Sequence, residues 1–495
     1  MRYLSAAISS LFIFCFSFIA CKINAQTIDA YFEKIRKNES ELTAFVSQMP
    51  KGGDLHNHYS GAVYGESYIA WLIKNDYCIN TETLELSRPD STGNCRSSAF
   101  KKFSYLKKNM TATDFEALKY RLLRYWSSLE YDQLHTDSRA EHFFSTFANF
   151  NLASGLDFEA GLKELKQRAI KENVLYLEVM LPNINCKKPD RNVTIVNDSI
   201  TVSYYNNLLT AIGLSQNQVT LNPLLDLLYT KIKDSLPVAA TAKSTNDWVD
   251  GLHKSVADSN GFTMRYLAFV VRSSDPLQMF MNTIAAFETV SRSTGNIVGL
   301  NIVAREDGTV SMRDYWLHMQ IFAYCHAKYP NVKYSMHAGE LTEGMVAPEE
   351  LTWHISSAVR DAGASRIGHG VDIAYEKENY KLLNEMSSKH IPVEINLLSN
   401  EFILGVKDDK HPLLLYKHFN VPIVISTDDP GISRTSLTEQ YVLLAKRYDE
   451  IKYADIKQYV LNSIEYSFIK DKEEMIKDIK NRFRNFEAYI LDNKH

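Results

Sequence analysis

The stretch Val421-Pro422-Ile423-Val424-Ile425-Ser426-Thr427-Asp428-Asp429-Pro430 runs from an apolar segment straight into two adjacent carboxylates and a proline. Residues 422–427, apolar and without polar alternation, read as a strand covered on both faces. Seven earlier runs share the pattern: residues 53–58, 174–181, 264–272, 297–304, 333–337, 366–369 and 392–398. Between them lie stretches with helical periodicity, among them 158–172, 276–292, 312–329 and 378–389. Strand and helix alternating eight times predict an α/β chain folded as a (β/α)8 TIM barrel.

Residues 49–470 are assigned to that barrel. The connection after the first strand, about residues 59–173, is too long for a simple crossover and predicts a long helical insertion acting as a lid or wall. Residues 26–48 read as an N-terminal helical segment, 437–447 and 453–471 as extra closing helices, and 471–495 as a C-terminal helix. At the start, Arg2 precedes an apolar run over 4–20 and a small-residue region ending Ile23-Asn24-Ala25-Gln26. That pattern predicts a signal peptide over 1–25, cleaved after Ala25. The run is short for a bilayer span, so the chain is expected to be exported, secreted or periplasmic, with no stable membrane span. Phe18-Ile19-Ala20-Cys21 faintly resembles a bacterial lipoprotein box, which leaves anchoring at Cys21 as the alternative.

With 495 residues, 45% of them apolar, the chain has enough material for one large core or two smaller ones. A net charge of -4 leaves no basic footprint, which argues against nucleic acid as a partner. Beyond the leader, Cys78 and Cys95 flank the polar, turn-rich stretch 87–94, and an oxidising compartment predicts a disulfide stapling that loop. Cys325 reads as a packed thiol.

Three further segments carry histidine at the end of an apolar run: Asp54-Leu55-His56-Asn57-His58, Tyr334-Ser335-Met336-His337-Ala338-Gly339-Glu340 and Arg366-Ile367-Gly368-His369-Gly370. Side chains two apart on a strand share a face, so His56 and His58 are placed to grip one ion. With His337 and Asp428 they make a nitrogen-and-carboxylate set that suits catalytic zinc, which keeps a further position open for water. Glu340 is then placed to move protons, His369 to orient or deprotonate the water, and Asp429 to accept a hydrogen bond from a substrate. Taken alone, a His-x-His is more often chance or core packing, and Asp-Asp before Pro is an ordinary turn. Four such segments, all at strand ends in a chain with few other such histidines, favour the metal reading, with one zinc per chain. The remaining histidines, His354 and His411 among them, read as core or surface residues.

In that order His56-Asn57-His58, His337-Ala338-Gly339-Glu340, Gly368-His369-Gly370 and Thr427-Asp428-Asp429-Pro430 resemble the adenosine deaminase family of metal-dependent hydrolases. Ser399-Asn400 with Leu404-Gly405, and the stretch 461–468, add to a likeness that runs from Met49 to about Lys470. The leader, Met49-Pro50-Lys51-Gly52 and the cysteine-bearing insertion look most like the secreted adenosine deaminase growth factor branch. The resemblance implies zinc on His56, His58, His337 and Asp428, with Glu340 giving a proton to purine N1, His369 serving the attacking hydroxide and Asp429 on N7. Where the family usually has a glycine whose amide binds N3, this chain has Ala304, followed by Arg305, which could meet an acidic or phosphorylated substrate group. Tyr59 or Ser60 stands where a sugar-binding aspartate is often found. The implied partner is a small purine nucleoside, and the implied reaction is deamination of adenosine or 2'-deoxyadenosine to inosine and ammonia. The alternatives are a related aminohydrolase acting on adenine, AMP or an N6-substituted purine, or a non-catalytic growth-factor-like relative; a homodimer is open.

Overall fold

Runs of apolar residues only three to nine long can hide both faces from water when they close on themselves, and this chain does so. The computed structural model describes residues 28–134, 138–187, 202–235, 238–259 and 261–493. The eight expected strands are β1 (Gly53–His58), β2 (Tyr176–Asn183), β3 (Thr263–Val271), β4 (Ile297–Val303), β5 (Ser335–Ala338), β6 (Arg366–His369), β7 (Val393–Ile395) and β8 (Ile423–Ile425). β1 to β4 form one parallel sheet in chain order and β5 to β8 a second. Parallel bridges from Leu300 to Tyr334 and from Asn57 to Asp428 join the two sheets at both seams. Closure of this kind removes the sheet edges and makes the TIM barrel.

Most strand ends shift by one or two residues from expectation, and two differ in kind. Residues 397 and 398 belong to the helix Leu397–Leu404, and β8 stops at Ile425. Apolar periodicity does not separate the end of a short buried strand from the start of a buried helix. The helix expected over 453–471 ends early, at Glu465, and the expected C-terminal helix is present as Glu473–Asn493.

Below the barrel mouth the interior is charged. Arg366 of β6 bonds Glu178 of β2 at 2.7 Å and Glu394 of β7 at 2.5 Å, and its guanidinium lies 3.7 Å from the Phe468 ring. All three charged side chains are fully buried, so each needs the others as compensation. Glu394 carries this network upward to His56.

The insertion between β1 and β2 holds a three-stranded antiparallel sheet (Cys78–Asn80, Leu86–Ser87, Phe100–Lys102) and helices that include Ala112–Tyr125, Arg139–Ser154 and Phe158–Lys171. Cys78 and Cys95 are joined as a disulfide. Arg139–Ser154 is N-capped by Ser138, whose side chain accepts from the Glu141 amide, and it carries Phe143, Phe144 and Phe147 to the barrel mouth. A second helical excursion, between β2 and β3, holds Val202–Ser215, Gln218–Ser235 and Val238–Val256. It was not anticipated, and one of its helices has Pro223 in its interior, a residue that reads as a breaker. The leader, the Cys21 anchor and His135 lie outside the described residues. No helix among the described residues is long and apolar enough to cross a membrane.

Candidate active site

The C-terminal ends of β1, β5 and β8 bring four ligand-type side chains to one point. His56 Nε2 stands 3.1 Å from His337 Nε2 and 3.4 Å from Asp428 Oδ1, while His58 Nε2 stands 3.2 Å and 3.3 Å from the same two atoms. Donors held about 2.0–2.1 Å from one zinc in a tetrahedron lie about 3.3–3.4 Å from one another. Donor type and spacing therefore fit a divalent metal. Outer partners aim the rings: His56 Nδ1 bonds Glu394 Oε2 at 2.7 Å and His337 Nδ1 bonds Asn301 Oδ1 at 3.0 Å, which turns both Nε2 atoms toward the centre. Ser399 Oγ donates to the other Asp428 oxygen at 2.5 Å. The cluster also favours positive charge at its centre. Burial opposes a charged His56, yet bonds to Asp428 and Glu394 raise it to about 10. Burial likewise opposes a charged Asp428, and its bonds to His56 and His58 hold it well below the usual carboxylate range.

Glu340 sits on the turn after β5, where Gly339 adopts φ +73°. A Cβ there would meet the Asp372 carboxyl and Ile355, so the turn needs glycine twice over. Glu306 holds the turn from behind, accepting from the Gly339 amide at 3.1 Å and the Glu340 amide at 2.9 Å. His354 Nδ1 bonds Glu306 at 2.6 Å, and Arg272 donates to the His337 carbonyl at 2.6 Å. Burial, followed by the nearby Asp428 and Glu306 charges, pushes the Glu340 carboxyl well above its ordinary range, so it keeps a proton. His369 Nε2 lies 3.7 Å from Glu340 Oε1, and burial lowers this histidine to about 3. Asp429 is also raised well above its ordinary range, by burial and then by Asp428. It fits only because position 61 is glycine: a Cβ at Gly61 would fall 1.6 Å from Asp429 Oδ1.

His58, His337, Glu340, Asp428 and Asp429 open onto a cavity of about 550 Å³ walled by Phe143, Phe144, Phe147, Phe269 and Val271. Ser60 lines it. Tyr59 does not: its ring packs on Phe158 and its hydroxyl donates to the Asp157 carbonyl, so it faces a neighbouring cavity and corrects the pairing of Tyr59 with Ser60 as substrate contacts. Ala304 lines the cavity with φ +83°, a left-handed backbone that disfavours a Cβ and that a glycine would adopt freely. His369 (φ +68°) and Asp428 (φ +64°) share this strain at their strand ends. Arg305 borders the cavity with its guanidinium engaged, by Asp307 at 2.9 and 2.7 Å and by Glu141 of the lid helix at 2.8 Å. Sequence reasoning missed Glu394, Asn301, Glu306 and the two histidines His354 and His411, because none lies in a motif with a ligand-like spacing.

The model of the family described as adenosine deaminase matches residues 230–482, just over half of the chain, and the chain belongs to that family. Adenosine deaminase of Aedes albopictus is 32% identical over 186 residues, 36% of this chain and 32% of that protein. Adenosine deaminase of Haemophilus ducreyi is 26% identical over 239 residues, 47% of this chain and 63% of that protein. The chain thus spans from about a third to under two thirds of the length of these relatives. Among solved structures, an amidohydrolase from Burkholderia ambifaria with bound Zn superposes with a TM-score of 0.52 at 16% identity, covering 91% of this chain and 95% of the other. Arabidopsis N6-mAMP deaminase gives a TM-score of 0.53 at 16% identity, covering 89% and 99%. At that identity the likeness establishes the fold.

Proposed function

We propose that the protein is a zinc-dependent aminohydrolase that converts adenosine, and 2'-deoxyadenosine, to inosine and ammonia. One observation carries this reading: a zinc-type donor set shares a cavity with a buried carboxyl, Glu340, that its surroundings push well above the ordinary carboxylate range. His56, His58, His337 and Asp428 would hold the metal, which when bound supplies a water acidic enough to attack near neutral pH. Glu340 delivers a proton to ring N1, which makes C6 electrophilic. The water oxygen bonds to C6 and the bond from C6 to the amine breaks. One water proton leaves with the amine as ammonia, and the other restores Glu340. His369 faces the attacking oxygen, Asp429 faces N7, and the Ala304 amide faces N3.

The lining favours a neutral nucleoside. Its walls are aromatic, its floor carries Glu340, Asp428 and Asp429, and Arg305 is already matched by Asp307 and Glu141. Ser60 is the residue we assign to the sugar. Adenosine and 2'-deoxyadenosine are expected to differ by no more than about tenfold in kcat/KM, the scale of one hydrogen bond at about 1.4 kcal/mol. Free adenine should be poorer, since the sugar contributes binding that positions the ring. Ammonia release from adenosine, deoxyadenosine, adenine and AMP tests this, and a higher kcat/KM for AMP than for adenosine would replace the nucleoside with a nucleotide.

We also propose that the chain is exported and akin to the secreted growth factor branch, on the apolar run over 4–20 and the Cys78–Cys95 disulfide. N-terminal sequencing of the mature protein should begin at Gln26; a chain retained inside the cells with Met1 intact would contradict it.

A further inference from the structure

Behind His369, on the side away from the cavity, a line of hydrogen bonds has its direction fixed at one end. The Leu413 backbone amide is obliged to donate, and it bonds His411 Nδ1 at 3.2 Å. A proton on that nitrogen would confront the amide, so the ring is neutral with its proton on Nε2. His411 Nε2 in turn bonds Asn400 Oδ1 at 3.1 Å, the end of the amide that a ring N–H requires. Asn400 Nδ2 is thereby left to donate, and it meets His369 Nδ1 at 2.9 Å. Asn396 Nδ2 approaches the same nitrogen at 3.4 Å. His369 Nδ1 is therefore an acceptor faced by amide groups, and the proton of the neutral ring sits on Nε2. That nitrogen has no hydrogen-bond partner among the described residues and looks toward Glu340. His369, Asn400 and His411 are all buried, so water does not compete for these bonds.

We propose that Asn400 and His411 are positioning residues that lock His369 as the Nε2–H tautomer, so that it serves deamination as a hydrogen-bond donor to the attacking oxygen and not as a base. A base needs a lone pair on the nitrogen that faces the reaction, and here the lone pair lies on Nδ1, sealed behind Asn400. The donor role rests on the deaminase reading of the cavity; the tautomer does not.

Zinc-loaded protein labelled with 15N-histidine, with His369 assigned by comparison with His369→Gln, reads the tautomer directly. The expected spectrum has a protonated, pyrrole-type Nε2 and a pyridine-type Nδ1 for His369, and the reverse pattern overturns the proposal whether or not any other variant folds. Asn400→Asp places a carboxylate that accepts from both rings, so the His369 proton should move to Nδ1 and its two signals exchange character. Presenting the wrong tautomer should lower kcat by about 10²-fold or more with KM changed by no more than about threefold. An Asn400→Asp protein with exchanged signals, normal zinc and wild-type kcat would defeat the donor role. Zinc-loaded wild type that releases no ammonia from any purine would remove the deaminase reading instead, and would leave the tautomer standing.

Discussion

Stripping the metal is expected to take all measurable deamination with it. Protein purified without chelators should carry about one zinc per chain, the stoichiometry of a single catalytic site. Dialysis against a chelator should bring ammonia release to background, and one equivalent of zinc should restore it. The reason lies in the geometry: His56, His58, His337 and Asp428 aim their ligand atoms at one point, with edges of 3.1–3.4 Å. Removing one of them, as in His337→Ala, should lower both zinc content and activity to near background. The fold should survive, because the barrel closes through main-chain pairing and is filled by its own core and the Glu178, Arg366 and Glu394 layer. Far-ultraviolet circular dichroism of the chelated protein separates the two effects. Full activity in protein whose elemental analysis shows no transition metal would sink the metal reading.

The positions of the candidate metal ligands were legible for a specific reason. In a barrel of this type strand ends are where chemistry is placed, and strand ends are marked in the sequence by apolar runs that stop at a polar residue. His56, His58, His337, His369 and Asp428 all stand at such stops, and the structure gathers them. Groups that act from behind carry no such mark. Glu394 lies inside the short β7, Glu306 lies on the loop beyond β4, and His354, which opens the short helix His354–Ser357, and His411, which precedes the helix Leu413–His418, reach the site only through tertiary packing.

The same limit applies to Tyr59 and Arg305. Tyr59 is next to His58 in sequence, but the short helix Tyr59–Ala62 packs its buried ring on Phe158, and adjacency along the chain does not predict direction where a strand gives way to a helix. Arg305 next to Ala304 invited a phosphate. Its two carboxylate partners come from Asp307 close by and from Glu141, 164 residues away on the lid helix, a contact no local pattern reveals. The same distance in sequence explains why the lid phenylalanines, Phe143, Phe144 and Phe147, could not be assigned to the cavity before the fold was known.

Glu340→Gln should separate proton delivery from everything else the cavity does. The amide is nearly isosteric with the protonated carboxyl, and the turn that presents it is held through the Gly339 and Glu340 main-chain amides on Glu306, so the substitution leaves the support untouched. Zinc content and melting temperature should stay at wild-type values. An amide donates a hydrogen bond to ring N1 but releases no proton to it, and loss of a positioned acid should lower kcat by roughly 10²-fold or more. KM should move far less, because the contact with N1 survives in the ground state. The pH dependence adds a sign. Burial raises Glu340 well above the ordinary carboxyl range, so wild-type kcat should fall as rising pH takes that proton away. The variant, having no proton to lose at this position, should lack that alkaline fall. Steady-state kinetics across pH would decide the matter: a variant with near-normal kcat, or one that keeps the alkaline limb, would assign the acid to another group.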